Sequence, residues 1–555
     1  MNIFIRIVVF ILFIPVAVHF SYLFDAAVFQ FHKPATVSVQ IKKPAKTTEN
    51  ILLVPLDSRP PCLEFVKGLG KINNIDIITP PKEFLDNYHT PADAKKIAEW
   101  LNTNIPYAEN AIVSTDMLRY GGLIASRTGQ VMITDDDFFD YLDRLKKQTN
   151  YYIFSIIPRL IIPDDPETRP WPWHVTVYAT KKDIYDHFGH TYDFEDMDGM
   201  LKRIPPEIIE NFNQRFNKNN TFNMKLFEFA QKHDLSLIFG QDDAHPFGRP
   251  YENKLNIEQI IKSEKSERIV TSNGADELAM MELASHVVKK QKKPVKIFIE
   301  YSTQAAPDMV FHFMAEDIHD TVLDKINAIG AETASSKDDS DFILFVHAGD
   351  QRTSSDQLKN IANKIIALSK EKPLALVDLS ANFMQRETIL KTLINENFPL
   401  SSLIAYAGWN TAGNSIGTAL SQACIFTVSK KSFSADDMPY IYKTNFEFTI
   451  SRILDDWVYQ KDVQDITDPM LIWRNVNIYQ LGTNKASVED KVADSIKRRQ
   501  NSFFYKNFAR YPFYSDEHGD YYITELNTEI KLPWDRTFEI DLKINTQTGI
   551  VIKNN

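Results

Sequence analysis

The sequence predicts a mixed α/β fold: a (β/α)8-like barrel with additional strands, followed by a helical segment and a small C-terminal β unit. Three observations lead there. Short, unbroken apolar runs recur between residues 51 and 407, helical stretches separate many of them, and polar or glycine-containing residues follow each run. Unbroken apolar strands signal a sheet buried on both faces, which requires parallel strands covered by helices.

Taken in order, the runs are 51–56, 75–79, 111–115, 151–157, 235–239, 268–271, 295–299, 342–347, 374–377 and 403–407. Helical patterns fill 92–102, 136–147, 276–289, 317–329, 357–369 and 415–424. These strands exceed the eight of a barrel, so 75–79 and one strand between 295 and 347 stand as extras. The alternative divides the chain near residue 290 into two doubly wound α/β lobes. From about Ser432 the pattern changes to amphipathic helices at 445–459 and 488–508, then short alternating strands over 521–552. The organisation expected is a signal peptide or membrane anchor (1–31), a linker (32–49), an α/β domain of catalytic type (50–431), a helical cap (432–511) and a β-rich unit (512–555).

The N-terminus carries the targeting information. Arg6 precedes an apolar run from Ile7 to Val18 that continues past His19 to Phe24. A positive flank before such a run is a translocation signal, and its length is about the minimum for a bilayer span. A small-x-small cleavage site is missing, which favours an uncleaved anchor over a cleaved peptide. The expected setting is extracytoplasmic, anchored to the membrane or secreted.

Composition excludes some functions. A formal charge of −11 argues against nucleic acid as a partner. The two cysteines, Cys62 and Cys424, are too few for a disulfide framework and form no zinc knuckle, so both read as buried thiols. The chain has neither a dinucleotide nor a Walker phosphate loop and no nucleophile elbow, and no cofactor is expected.

In parallel α/β proteins ligands sit beyond the carboxyl ends of the strands. The residues there are mainly acidic: Asp57-Ser58-Arg59, Asp116, Gln241-Asp242-Asp243, Asp276-Glu277, His347 with Asp350, and Asp378. Asp242-Asp243 is the sharpest candidate. Strand alternation sends neighbouring side chains in opposite directions, so one carboxyl can stay protonated as a general acid while the other is ionised. The plainer reading has Asp242 capping a turn and Asp243 in solvent. Gly408-Trp409-Asn410-Thr411-Ala412-Gly413-Asn414 offers an aromatic face and two amides for a substrate, although Asn414 or Ser415 would equally cap the next helix. Asp116 to Leu123 sets Arg119 beside paired glycines, suited to a hydroxyl-rich or carboxylate ligand, or to an ion pair with Asp116. Trp171-Pro172-Trp173-His174 reads as a Pro-rich loop with aromatic platforms for a sugar. The substrate-binding candidates are therefore Asp57, Arg59, Asp116, Arg119, Trp409, Asn410 and Asn414.

Several segments together resemble a known bacterial family. They are Val54-Pro55-Leu56-Asp57-Ser58-Arg59-Pro60, Asp116 to Arg127 with its Tyr-Gly-Gly-Leu-Ile-Ala-Ser-Arg ending, Gln241-Asp242-Asp243, Gly274-Ala275-Asp276-Glu277, residues 406–417, residues 452–460 with Leu-Asp-Asp-Trp inside, and Leu532-Pro533-Trp534-Asp535-Arg536-Thr537-Phe538. The chain resembles the family catalogued as domain of unknown function 4127 from about residue 50 to its end. That resemblance implies shared architecture and brings no activity with it. The Asp-Asp pair also resembles that of the barrel hexosaminidases that remove O-linked N-acetylglucosamine. It implies that Asp242 orients the acetamide, that Asp243 is the acid/base, and that Trp409 and Asn410 contact substrate.

The function expected is a membrane-associated or secreted glycoside hydrolase-like enzyme acting on a glycan, with no nucleic-acid partner and no metal. The alternatives are a metal-dependent hydrolase built on Asp57, Asp116, Asp242 and His347, and a non-catalytic glycan or cell-wall binding protein.

Overall fold

A computed structural model describes residues 34–45, 48–160, 171–190 and 196–553. The N-terminal apolar segment lies outside these residues, and within them no helix is long and apolar enough to cross a membrane.

The strands are β1 Val37–Ser38, β2 Glu49–Val54, β3 Ile75–Ile78, β4 Asn110–Ser114, β5 Asn150–Ile157, β6 Ser236–Gln241, β7 Ile269–Asn273, β8 Lys296–Tyr301, β9 Glu332–Thr333, β10 Phe342–Gly349, β11 Leu374–Ser380, β12 Leu403–Ala407, β13 Tyr514–Ser515, β14 Gly519–Lys531 and β15 Asp541–Ile552. Each apolar run of the sequence forms a strand, because an unbroken run is stable only where both faces are covered. The fold is mixed α/β, with parallel sheets, many helices and a C-terminal antiparallel unit.

Strands β2 to β12 fall into two parallel sheets. One has six strands in the order β3-β2-β4-β5-β6-β7, the other five in the order β12-β11-β10-β8-β9. Both follow one scheme: the first strand has the second on one side and the third on the other. The chain therefore reverses direction beside β2 and again beside β8, the position at which open α/β sheets commonly take their ligands.

Helices fill the space between the sheets. The helix Ala412–Ser432 touches β11 and β12 on one side and the helices Glu64–Ile72, Leu278–Lys289 and Ile318–Ile329 on the other. The helix Leu278–Lys289 in turn lies against β4, β5 and β6. Ala412 to Ser429 are all buried, as expected of a helix whose small and apolar residues run right round it. One hydrophobic core joins the inner faces of both sheets through these helices.

Beyond the second sheet come the helix Met438–Arg452, a π-helical stretch Ile453–Val463 and the helices Gln464–Trp473 and Lys485–Phe503. They pack with the four-stranded sheet β1-β15-β14-β13 around a second core. Part of the expected linker belongs here: β1 pairs antiparallel with β15, and Val39 exchanges hydrogen bonds with Thr548. The expected Pro-rich aromatic loop is also different. Trp171-Pro172-Trp173-His174 opens the helix Trp171–Phe188, where a proline in the first turn loses no helical hydrogen bond.

Candidate active site

The loop after β2 carries Asp57, Ser58 and Arg59, all buried. The Arg59 guanidinium donates to Asp57 at 2.6 and 2.9 Å and to Asp276, beyond β7, at 2.6 and 3.2 Å. Trp534, from the loop after β14, closes this triad from above: Arg59 stacks 5.2 Å from its ring, and its indole N–H donates to Ser58. Burial pushes Asp276 up to about 7, with Arg59 opposing and Asp57 assisting. Asp57, Cys62 and Asp276 bring three potential metal-ligating atoms together, but Arg59 already occupies both carboxylates.

Asp116 follows β4 in the first turn of the short helix Thr115–Tyr120, which Ser114 caps. Its carboxylate accepts the Ile156 amide at 2.9 Å. Burial raises it to about 7, against the pull of that amide and of Arg119. The ion pair expected between Arg119 and Asp116 is not the one formed. Arg119 pairs with Asp135 at 2.7 Å and lies 3.9 Å over the Phe222 ring. Gly121 and Gly122 turn the chain here with φ of 85° and 119°, values open to glycine.

Asp242 and Asp243 stand just past β6, which ends at Gln241, so pleat alternation does not separate them. Asp242 accepts two bonds from Arg127 at 2.8 and 3.1 Å and also the Asp243 amide at 3.0 Å. Burial works to raise its pKa, but the charges of Arg127 and Arg159 and these hydrogen bonds outweigh it and hold the carboxyl below its ordinary value. Asp243 behaves oppositely: burial and then the neighbouring Asp242 charge push it up to about 6. Its side chain keeps 27% exposure, and the Arg159 guanidinium stands 3.8 Å away. Arg215 adds a fourth cation near the pair, after Arg127, Arg159 and Arg59. Arg159 Nε and Arg215 Nε and Nη2 are buried with no acceptor among the described residues.

The edge of the second sheet carries mainly neutral and acidic groups, with Lys461 as a buried cation. Trp409 is packed in the core, its indole N–H donating to Thr418 and its ring edge-on to Phe65. Asn410 has φ of 47°, gives its amide to Gln460 and its side-chain NH2 to Asn414. Asn414 is not the helix cap: Thr411 caps Ala412–Ser432, and Asn414 donates to Glu277 at 2.6 Å. Gly413 lies so close to β7 that a Cβ would stand 2.8 Å from the Asn273 carbonyl, which ties this helix start to the first sheet. His347 bonds the Glu387 carbonyl, and Asp378 accepts the amides of Ile389 and Leu390.

A small cavity of about 10 Å³ opens here, lined among others by His312, Ser380, Asn410, Thr411 and Lys461. A larger groove of about 300 Å³ lies elsewhere, at the amino ends of β6 and β7 around Leu235 and Ile269, away from these residues. The two carboxyl edges meet through the loop after β8, where Phe313 accepts the amide of Ala244, next to Asp243, while Phe311 and His312 line the cavity.

The structure therefore brings Asp57, Arg59 and Asp276 together, and sets Asp242 and Asp243 within the charge field of the same arginine. Asp116, Arg119 and Trp409 are each bound into their own surroundings. The four residues of the metal reading stay apart: Asp57 bonds Arg59, Asp116 the Ile156 amide, Asp242 Arg127, and His347 a carbonyl of the second sheet. Among the described residues the clusters that could hold a metal contain no histidine. Sequence reasoning missed Arg127, Arg215 and Lys461 as site residues. Arg127 ends the Tyr-Gly-Gly-Leu-Ile-Ala-Ser-Arg motif, which could have signalled it; the other two have no local signature.

A family model described as "Protein of unknown function (DUF4127)" matches residues 51–543. No curated protein and no solved structure matches the chain.

Proposed function

The chain belongs to this DUF4127 family, and from its geometry we propose that it is a glycoside hydrolase-like enzyme with Asp243 as the general acid/base. One observation carries the reading: adjacent carboxyls at a strand's carboxyl end favour opposite protonation states, Asp242 ionised against Arg127 and Asp243 pushed up to about 6. Glycoside cleavage needs a carboxyl that still holds a proton near neutrality and an anionic partner to stabilise or orient positive charge as the bond breaks. Asp243 is the more accessible of the pair, so it is the one able to meet a glycosidic oxygen. Asp242, fixed by Arg127, suits the orienting role, for example toward the acetamide of an N-acetylhexosamine. The unused donors of Arg159 and Arg215 favour a hydroxyl-rich ligand.

We read the architecture as two doubly wound lobes rather than one barrel, on the support of the two separate strand orders. The apolar run from Ile7 to Phe24 supports an extracytoplasmic setting, at the membrane or secreted.

The test is a screen of the full-length chain against aryl N-acetylhexosaminides and other aryl glycosides. Activity should fall as pH rises through about 6, where Asp243 loses its proton. Asp243→Asn should lower kcat/KM by roughly 10²–10⁴-fold. Turnover that survives this substitution unchanged removes the assignment.

A further inference from the structure

Among the described residues, the buried lysines Lys254, Lys325 and Lys461 are of two kinds. Lys254 and Lys325 are both fully buried and both saturated: Lys254 faces Glu258, Glu316 and Asp324, and Lys325 bonds Glu277, Ser272 and the Asn273 carbonyl. A desolvated ammonium ordinarily requires such company. Lys461 is the exception. It is 3% exposed, lines the cavity beyond β11 and β12, and makes no hydrogen bond or ion pair among the described residues.

We propose that this cavity is an oxyanion site, in which the Lys461 ammonium and the first amides of the helix Ala412–Ser432 hold a carboxylate or phosphate group. The helix is 21 residues long and begins at the cavity wall, where Thr411, Ala412 and Ser415 all contribute. Its first helical bond is donated by Ser415, and the Asn414 amide is taken by the Thr411 side chain. The amides of Ala412 and Gly413 have no helical acceptor. They form the positive end of the helix dipole, which favours anions.

Two further features belong to the same wall. Asn410 and Phe383 both line it and both hold positive φ, 47° and 59°, a strained conformation for residues with a Cβ. Lys461 sits in a π-helical stretch, a distortion of the kind found often at functional sites. The nearby carboxylates do not fill the role of the missing anion. Asp378 is taken by the Ile389 and Leu390 amides and Tyr406, Asp456 by the Gly408 amide and Arg452, and Glu387 by Ser380 and Asn382. Asp465 is exposed. Burial lowers the Lys461 pKa against the pull of these four carboxylates, as expected of a cation still short of a contact. The space, about 10 Å³, is that of about one water molecule, so it takes a single anionic oxygen and not a sugar ring.

The experiment is equilibrium dialysis of the full-length chain against radiolabelled inorganic phosphate and, separately, acetate, at matched ionic strength. The expected result is saturable binding of about one anion per chain, and the tighter of the two identifies the natural group as phosphate or carboxylate. Lys461→Met should weaken it by roughly tenfold or more. Ala412→Pro is the second variant. Thr411 is already extended (φ −85°, ψ 164°) and proline is favoured at the first helical position, so the fold is kept while one amide donor is lost. Binding should weaken there too, whereas Asp243→Asn should leave it unchanged, which separates this site from the glycosidase reading. Absence of saturable binding of both anions, or wild-type affinity in either weakened variant, overturns the proposal.

Discussion

The two parallel sheets share one strand order yet use their carboxyl edges differently. On the first, two guanidiniums meet their counter-charges, Arg59 between Asp57 and Asp276 and Arg127 against Asp242, while Arg215 beside them bonds only the Arg127 carbonyl among the described residues. On the second, Lys461 faces a cavity without a counter-ion in contact. A matched buried charge shows what fastens a loop, since removing one partner strands the other. An unmatched one beside a space shows where something else completes the structure. Matched charges therefore shape the site, and the unmatched ones are free to act in it.

The largest effect is expected where matching is tightest. Arg59→Met removes the cation from between two fully buried carboxylates joined across 217 residues of chain. Breaking a buried ion network in this way typically destabilises by about 3–5 kcal/mol. Urea unfolding of the full-length variant measures it. A loss below about 1 kcal/mol would mean that the triad does not hold the β2 and β7 loops together.

A smaller, pH-dependent effect belongs to Asp116. Its folded pKa is pushed up to about 7 from an ordinary 3.8, chiefly by burial. The folded protein thus keeps a proton that the unfolded chain gives up at lower pH. The stability it contributes is complete below about pH 4 and is lost as pH rises through about 7. Asp116→Asn retains the oxygen that accepts the Ile156 amide and cannot ionise. It should be more stable than wild type at pH 8 by ~1–3 kcal/mol and lose that advantage by pH 4. Asp243, Asp276 and Asp456 rise in the same direction, to about 6, 7 and 7, so the slope of stability with pH is reduced by one proton and not abolished.

Much of the fold was readable in the sequence because its strands are buried on both faces. An unbroken apolar run such as 342–347 has few other stable solutions. Neighbour order was not readable, since pairing depends on how helices pack between sheets. β1 escaped because a two-residue edge strand in a polar, proline-containing stretch has no periodic signal. At the first edge the acidic residues and Arg59 were legible from position alone, directly after strands, while Arg127 and Arg215 were not. Arg215 comes from the middle of the long helix Pro206–Lys232, where a cation reads as surface. Lys461 was hidden for a different reason. The helical periodicity of 445–459 stops short of Lys461, and the chain changes to a π-helix at Ile453, where the phase that assigns faces is lost.

The smallest stability effect, and the sharpest for the comparison, is expected from Lys461→Met without any ligand. Methionine approximates the length of the lysine stem and fills irregular space. No hydrogen bond or ion pair is broken among the described residues, and an ammonium whose charged form burial disfavours is removed. Against this stands the lost attraction of Asp378, Asp456, Asp465 and Glu387, three of which keep their own hydrogen-bond donors. These opposing contributions should leave unfolding free energy within about 1 kcal/mol of wild type, against several for Arg59→Met. If Lys461→Met instead destabilised the protein as strongly as Arg59→Met, the lysine would be a matched charge of the first kind. The contrast between the two edges would then fail, because its cation would be serving the fold and not awaiting an anion.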